Sequence, residues 1–180
     1  MSDFALSEAE FRALYERLRR TSVQGSADRL GTLNNLSSAD VVAAASDVRD
    51  GHTVSLAAPI ESRASADNPD PAVQSLGPWD AAEARAGLHP AALELLAERR
   101  IAVLGSDGNN DTAPSAVEGV DFPVHVLAIN AMGMYLLDYL DLDALAERCE
   151  AKHRASFLCV VAPLRLREGT GSPVNPIAIF

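Results

Sequence analysis

Apolar positions near the start of the chain recur at helical spacing in two segments. This spacing predicts helices over residues 7–20 and 39–48. Each predicted helix begins with a capping-box pattern, in which a serine precedes an acidic residue by three positions. The two boxes are Ser7 with Glu10 and Ser37 with Asp40. A short apolar run over residues 53–57 then predicts a strand that enters the core.

Helical and strand patterns alternate in the second half of the chain. The helical patterns cover residues 89–100, 124–132 and 142–154, and the strand-like apolar runs cover residues 101–104, 135–137, 157–162 and 177–180. Such alternation predicts an α/β or α+β class with a mixed sheet. Because 180 residues suffice for one well-cored domain, we interpret residues 1–180 as a single domain.

Residues 61–79 break this pattern. The segment contains three prolines and many small polar residues, with almost no apolar periodicity. Connections inside compact domains are typically about 4–6 residues long, so a run of this length is unusual. It indicates either a functional loop or a place where structure has been lost.

Charge and hydropathy exclude some partners. The formal net charge of -10 opposes binding to nucleic acid or to an anionic membrane surface. No apolar run approaches the roughly 18 residues that a membrane-spanning helix needs, and the N-terminus lacks the pattern of a signal peptide. We therefore expect a cytoplasmic protein that binds neither nucleic acid nor membrane.

The two cysteines carry little sign of chemistry. Cys149 and Cys159 lack the paired spacing of a zinc or redox motif, which favours reduced structural thiols. Cys159 lies within a continuous apolar run, so we expect it in the core. The chain also lacks a Gly-x-Ser-x-Gly nucleophile elbow. The glycines of residues 169–173 are followed by no helix and no lysine, so they predict a tight turn rather than a phosphate loop.

Histidine is the first residue type to consider for a metal or a general base. The four histidines are scattered, and no pair has the spacing of a local metal motif. His52 and His153 lie near helix ends, where a cation interacts favourably with the helix dipole, and we interpret both as structural. His125 lies early in an apolar helical segment, as either a core histidine or a ligand. Asp138 follows an apolar strand run, where it either faces a cleft or caps the next helix.

A set of sequence blocks occurs in a characteristic order. The blocks are residues 28–34 with 51–56, residues 101–107, residues 122–125 with 136–140, and residues 162–166 running to the Gly-Ser-Pro-Val-Asn-Pro of 171–176. Together they resemble the metal-dependent cyclase family, the kynurenine-formamidase-like (arylformamidase-like) hydrolases. The resemblance covers nearly the whole chain.

The resemblance implies a swivelling β/β/α fold, an oligomeric assembly of identical chains and a divalent metal, zinc or manganese, held in a cleft. The implied reaction is hydrolysis of a small-molecule amide or formamide, as in removal of the formyl group from N-formylkynurenine. A bound divalent metal lowers the pKa of its water and polarises the carbonyl oxygen of the substrate.

Carried onto this chain, the resemblance assigns two metal ligands. His125 matches the family's later histidine, and Asp138 matches its later carboxylate, which is usually a glutamate. The family's main motif, His-x-Gly-Thr-His-x-Asp, has no counterpart between residue 56 and His89. We infer an internal deletion near residues 73–76, natural or introduced, or the omission of that stretch from this sequence. Either implies an incomplete fold and impaired activity, since a catalytic zinc site has about three protein ligands. The alternatives are a non-catalytic binding or interaction module and an inactive remnant of the family.

Overall fold

The computed structural model describes residues 6–22, 27–57, 86–167, 169 and 171–180. Its helices are α1 (Glu8–Ser22), α2 (Ser38–Ser46), α3 (Ala92–Glu98), α4 (Pro123–His125, continued as a π-helix over Val126–Ala131) and α5 (Asp143–Lys152). A 3₁₀ turn covers Gly31–Asn35. Its strands are β1 (Thr53–Ser55), β2 (Val103–Gly105), β3 (Tyr135–Leu137), β4 (Leu158–Val160) and β5 (Ile177–Ile179).

The predicted elements are confirmed, with ends that differ by a few residues. Both capping boxes form: the Ser7 backbone amide donates to Glu10 Oε2 at 2.9 Å, and that of Ser37 donates to Asp40 Oδ2 at 2.7 Å. The π-helical turn after His125 was not expected, because π-helices leave no distinct hydrophobic period in sequence.

The strands form two separate sheets among the described residues. Strand β5 lies between β1 and β4 in an antiparallel sheet, and β2 pairs with β3 in parallel. The α/β class is therefore confirmed, and the two kinds of pairing that we predicted for one mixed sheet occur in different sheets. The terminal Asn-Pro helps to place β5, since Asn175 Oδ1 accepts from Ser55 Oγ at 2.8 Å.

Two hydrophobic clusters form among the residues that the structure describes. In the larger one, α1 packs against α3 and the π-helix. Its buried members include Phe11, Leu14, Leu93, Val124 and Leu127. The smaller cluster lies under the antiparallel sheet and α5, and it is built on Val54, Leu56, Ala178 and Phe180.

Helix α5 is tied to the smaller cluster by charged side chains. Asp50 accepts from Arg148 at 2.6 Å and from Lys152 at 2.7 Å. Hydrogen bonds from Lys152 and from the His52 backbone amide hold the pKa of the Asp50 carboxyl well below its usual range. The guanidinium groups of Arg148 and Arg154 lie 5.7 and 5.5 Å from the centroid of the Phe180 ring. These basic residues therefore serve the packing of the helix.

Two glycines allow the 3₁₀ turn to contact the end of the π-helix. Gly31 and Gly133 both have positive φ, 52° and 63°. A Cβ on Gly31 would lie 2.0 Å from the carbonyl oxygen of Gly133, which is far inside van der Waals contact. The neighbouring Thr32 amide donates to that same oxygen at 3.0 Å. The first block of the family resemblance thus holds the last turn of the helix that begins near His125.

Some expectations have a different outcome. Cys159 is exposed on strand β4, which pairs only with β5 among the described residues, so the prediction of a core position is wrong. The irregular segment 61–79 and the inferred deletion near 73–76 lie outside the described residues. No helix in the described part of the chain is long and apolar enough to cross a membrane.

We predict that Gly31→Ala lowers the free energy of unfolding by about 3 kcal/mol, because the new Cβ meets a carbonyl oxygen and the residue keeps a left-handed backbone. Urea denaturation measures the loss. Gly51→Ala is the matched control: φ is 71° there, but nothing lies within 4 Å of a Cβ, so only the backbone penalty of about 1 kcal/mol applies. Equal losses in the two variants would contradict the close approach.

Candidate functional site

The helix that carries His125 begins on a buried carboxylate from another segment. Asp111 Oδ1 accepts from the Val124 amide at 2.6 Å, and Asp111 Oδ2 accepts from the His125 amide at 3.1 Å. The first amides of a helix have no partner within it, so Asp111 supplies the acceptors that a local cap would normally provide. Pro123 suits the first turn because it has no amide hydrogen to satisfy.

Both ring nitrogens of His125 contact carboxylates. Nδ1 lies 2.5 Å from Asp111 Oδ2, and Nε2 lies 2.9 Å from Asp138 Oδ2. Hydrogen bonding to Asp111, followed by that to Asp138, raises the pKa of His125 to about 9 against the opposing effect of burial. At neutral pH the ring is therefore a cation that donates to both carboxylates.

The site lies at the carboxyl ends of the parallel strands β2 and β3. Asp138 follows β3 directly, and the loop after β2 leads to Asn110 and Asp111. The two loops bond to each other, since the Tyr139 amide donates to the Gly108 carbonyl at 2.9 Å. Asn110 Nδ2 then donates to Asp138 Oδ1 at 2.6 Å. Crevices at the carboxyl ends of parallel strands are common ligand sites.

Exposure differs sharply between the two carboxylates. The side chain of Asp111 is 0% exposed, whereas those of Asp138 and His125 are 25% and 24% exposed. Gly87 closes the inner side: a Cβ there would lie 2.3 Å from the Asp111 carbonyl carbon. Asp138 and His125 are therefore partly open to solvent, while Asp111 acts only through its neighbours.

The structure brings the two predicted site residues together. Their role as metal ligands stays a prediction. The alternative of Asp138 as a helix cap is wrong, because α5 follows Leu142 with no side-chain cap and Asp138 bonds to His125 and Asn110. His52 and His153 do not join the site; His153 ends α5 with a left-handed backbone, φ 47°.

Sequence reasoning missed Asn110 and Asp111. Both lie in the polar run 105–111, directly after the predicted strand over residues 101–104. The available signal was their place after β2, since polar residues that follow parallel strands meet at one edge of a sheet. In the described part of the chain, no group of three or more His, Cys, Asp or Glu side chains is arranged to hold a metal ion.

A solved structure described as a novel cyclase has the same architecture. The TM-score is 0.69 at 17% sequence identity, and the alignment covers 92% of this chain and 99% of that chain. The chain therefore has a cyclase-type fold. At this identity the likeness shows the fold alone, and the arylformamidase-like subtype stays a prediction. No family model and no curated protein matches the sequence.

The cyclase-type fold carries a histidine whose proton contributes to stability. Because folding raises the pKa of His125 from 6.5 to about 9, this contribution is fully present below pH 6.5 and is lost as the pH rises through 9. We expect the free energy of unfolding of metal-free protein to fall by about 3 kcal/mol across this window. Urea denaturation in the presence of a chelator, at a series of pH values, measures this decline in the free energy of unfolding. His125→Gln should remove the decline, and an unchanged slope in that variant would assign the decline to another group.

Proposed function

We propose that this chain is a metal-dependent hydrolase of a small-molecule amide or formamide, with His125 Nε2 and Asp138 as two ligands of a zinc or manganese ion. The observation that supports this most is the arrangement around the imidazole. Nε2 lies 2.9 Å from Asp138 Oδ2, and Nδ1 is held by the buried Asp111 carboxylate. A metal-binding histidine typically gives its other ring nitrogen to a carboxylate in this way.

The donor atoms are compatible with such an ion. Zinc–nitrogen and zinc–oxygen bonds of about 2.1 Å at a tetrahedral angle separate two ligand atoms by about 3.4 Å. The observed 2.9 Å between Nε2 and Oδ2 needs only a small opening, since Asp138 is partly exposed. Binding would require Nε2 to lose its proton. The pair still falls short of the usual number of ligands, so the proposal requires at least one further ligand.

The neighbouring residues of this chain would orient the two proposed ligands. Bound metal would supply Lewis acidity and a more acidic water. Asp111 would fix the tautomer and the ring plane of His125 by accepting from Nδ1. Asn110 would fix the Asp138 carboxylate by donating to Oδ1. With two placed ligands, we propose that the isolated chain hydrolyses formamides slowly compared with a complete site.

The test is metal titration of chelator-treated protein by calorimetry, followed by an assay with N-formylkynurenine. We expect weak zinc or manganese binding that falls at least about tenfold in His125→Ala and Asp138→Ala, because each variant removes one of two ligands. His52→Ala is the control and should bind as the unsubstituted protein does. Absence of metal binding would contradict the proposed metal site. Tight metal binding with rapid turnover would contradict the proposal that this chain hydrolyses formamides slowly.

Self-association belongs to the same proposal, and one surface favours it. We define the α2–β4 surface as Val41, Val42 and Val160, which are 59%, 66% and 43% exposed. Helix α2 packs beside β4, and none of its residues is buried, although an apolar helix face normally packs against a partner. We propose that a second copy of this chain covers this surface.

We expect the protein to elute above the mass of one chain in size-exclusion chromatography with light scattering. Val41→Ser with Val42→Ser should shift it toward the single-chain mass, because exposed valines contribute apolar area to an interface. Val54→Ser would not test this surface, since the Val54 side chain is in the core and its replacement would destabilise the fold. A single-chain mass for the unsubstituted protein at high concentration would contradict self-association. A stable, non-hydrolysing oligomer would favour the interaction module over the enzyme.

A further inference from the structure

Asn110 occupies a backbone position that few residues adopt. Its φ is 65°, in the left-handed region, and its side chain and backbone together are only 2% exposed. Its carbonyl oxygen accepts from the Leu88 amide at 2.8 Å, which ties its backbone to the segment before α3. Glycine adopts this conformation without penalty, and asparagine is among the side chains that tolerate it best.

The side chain of Asn110 is only half satisfied. Nδ2 donates to Asp138 Oδ1 at 2.6 Å. Oδ1 is buried and has no hydrogen-bond partner among the described residues. An unpaired buried polar atom is destabilising, so glycine would suit the backbone better and would leave no orphaned oxygen. What glycine could not supply is the hydrogen bond to Asp138.

We propose that Asn110 is a positioning residue for Asp138. Its amide holds Oδ1 of Asp138 so that Oδ2 stays directed at Nε2 of His125. The consequence for metal binding rests on the proposed function above; the positioning of the carboxylate does not.

The chemistry of the amide suits this task. An amide NH₂ donates without carrying charge, so Asp138 keeps its full negative charge for a cation. A lysine or arginine in its place would neutralise the carboxylate, and an aspartate would repel it. Among uncharged side chains that tolerate a left-handed backbone, asparagine is the one with a short and strong donor.

The experiment compares Asn110→Gly, Asn110→Asp and Asn109→Ala with the unsubstituted protein. Asn109 is the matched control: it is adjacent, 7% exposed, and has an orphaned Oδ1, but it makes no hydrogen bond to His125 or Asp138. Asn110→Asp keeps the size and the backbone tolerance, in case the glycine variant fails to fold. The readouts are thermal unfolding, the ¹⁵N signal of His125 Nε2 in metal-free protein, and zinc affinity by calorimetry.

We expect Asn110→Gly to unfold at or above the temperature of the unsubstituted protein, while its Nε2 signal moves away from the hydrogen-bonded position and its zinc affinity falls about tenfold. Asn110→Asp should shift the same signal through repulsion of Asp138. Asn109→Ala should leave the signal and the affinity unchanged.

The outcomes separate the two proposals. An Nε2 signal that is unchanged in both Asn110 variants, or equally changed in Asn109→Ala, would overturn the positioning role. If the unsubstituted protein binds no zinc but the signal moves in both Asn110 variants, the positioning role holds and the metal-dependent function fails.

Discussion

The buried carboxylate of Asp111 is the constraint on which the site depends. It accepts from two successive backbone amides at the start of a helix and from the ring of His125. A carboxylate with 0% exposure is stable only when its oxygens are satisfied in this way. The same three contacts start the helix, fix the ring and set which nitrogen faces outward. Helix start and site geometry are therefore one structural feature.

The carboxylate is in turn held by the surrounding backbone. The Leu88 amide bonds to the Asn110 carbonyl, and Gly87 lies against Asp111 with no room for a side chain. The helix beyond His125 buries Val124 and Leu127 in the larger hydrophobic cluster. Packing in that cluster and hydrogen bonding at the site therefore support each other. A substitution that weakens the packing should also disturb the hydrogen bonds of the site, and the reverse.

Local sequence patterns predicted the elements of this fold well. Capping boxes and apolar periods act over a few residues, so Ser7, Glu10, Ser37 and Asp40 could be assigned directly. The partners of His125 could not, because Asp111 and Asp138 lie 14 and 13 positions away and meet it only when the strands pair. The family resemblance identified Asp138 by order along the chain.

Contacts between distant segments explain the remaining differences. Cys159 was expected in the core because its run is apolar, but pairing places that strand where the side chain is exposed. The parallel and antiparallel strand pairs likewise lie in separate sheets because of which strands meet in the fold. The alternation of helices and strands along the chain does not determine these pairings. Asn110 was passed over because turn residues look alike until their backbone angles are known.

The contact between Gly31 and Gly133 has a mechanical consequence. The helical segment from Pro123 onward is held at its start by Asp111 and at its end by the 3₁₀ turn, so both of its ends are fixed. A shift of His125 along the helix axis would break one of these two contacts. Asp138 follows a three-residue strand and is partly exposed. Of the two predicted ligands, Asp138 is therefore the one with more room to adjust, within the limit set by its hydrogen bond to Asn110.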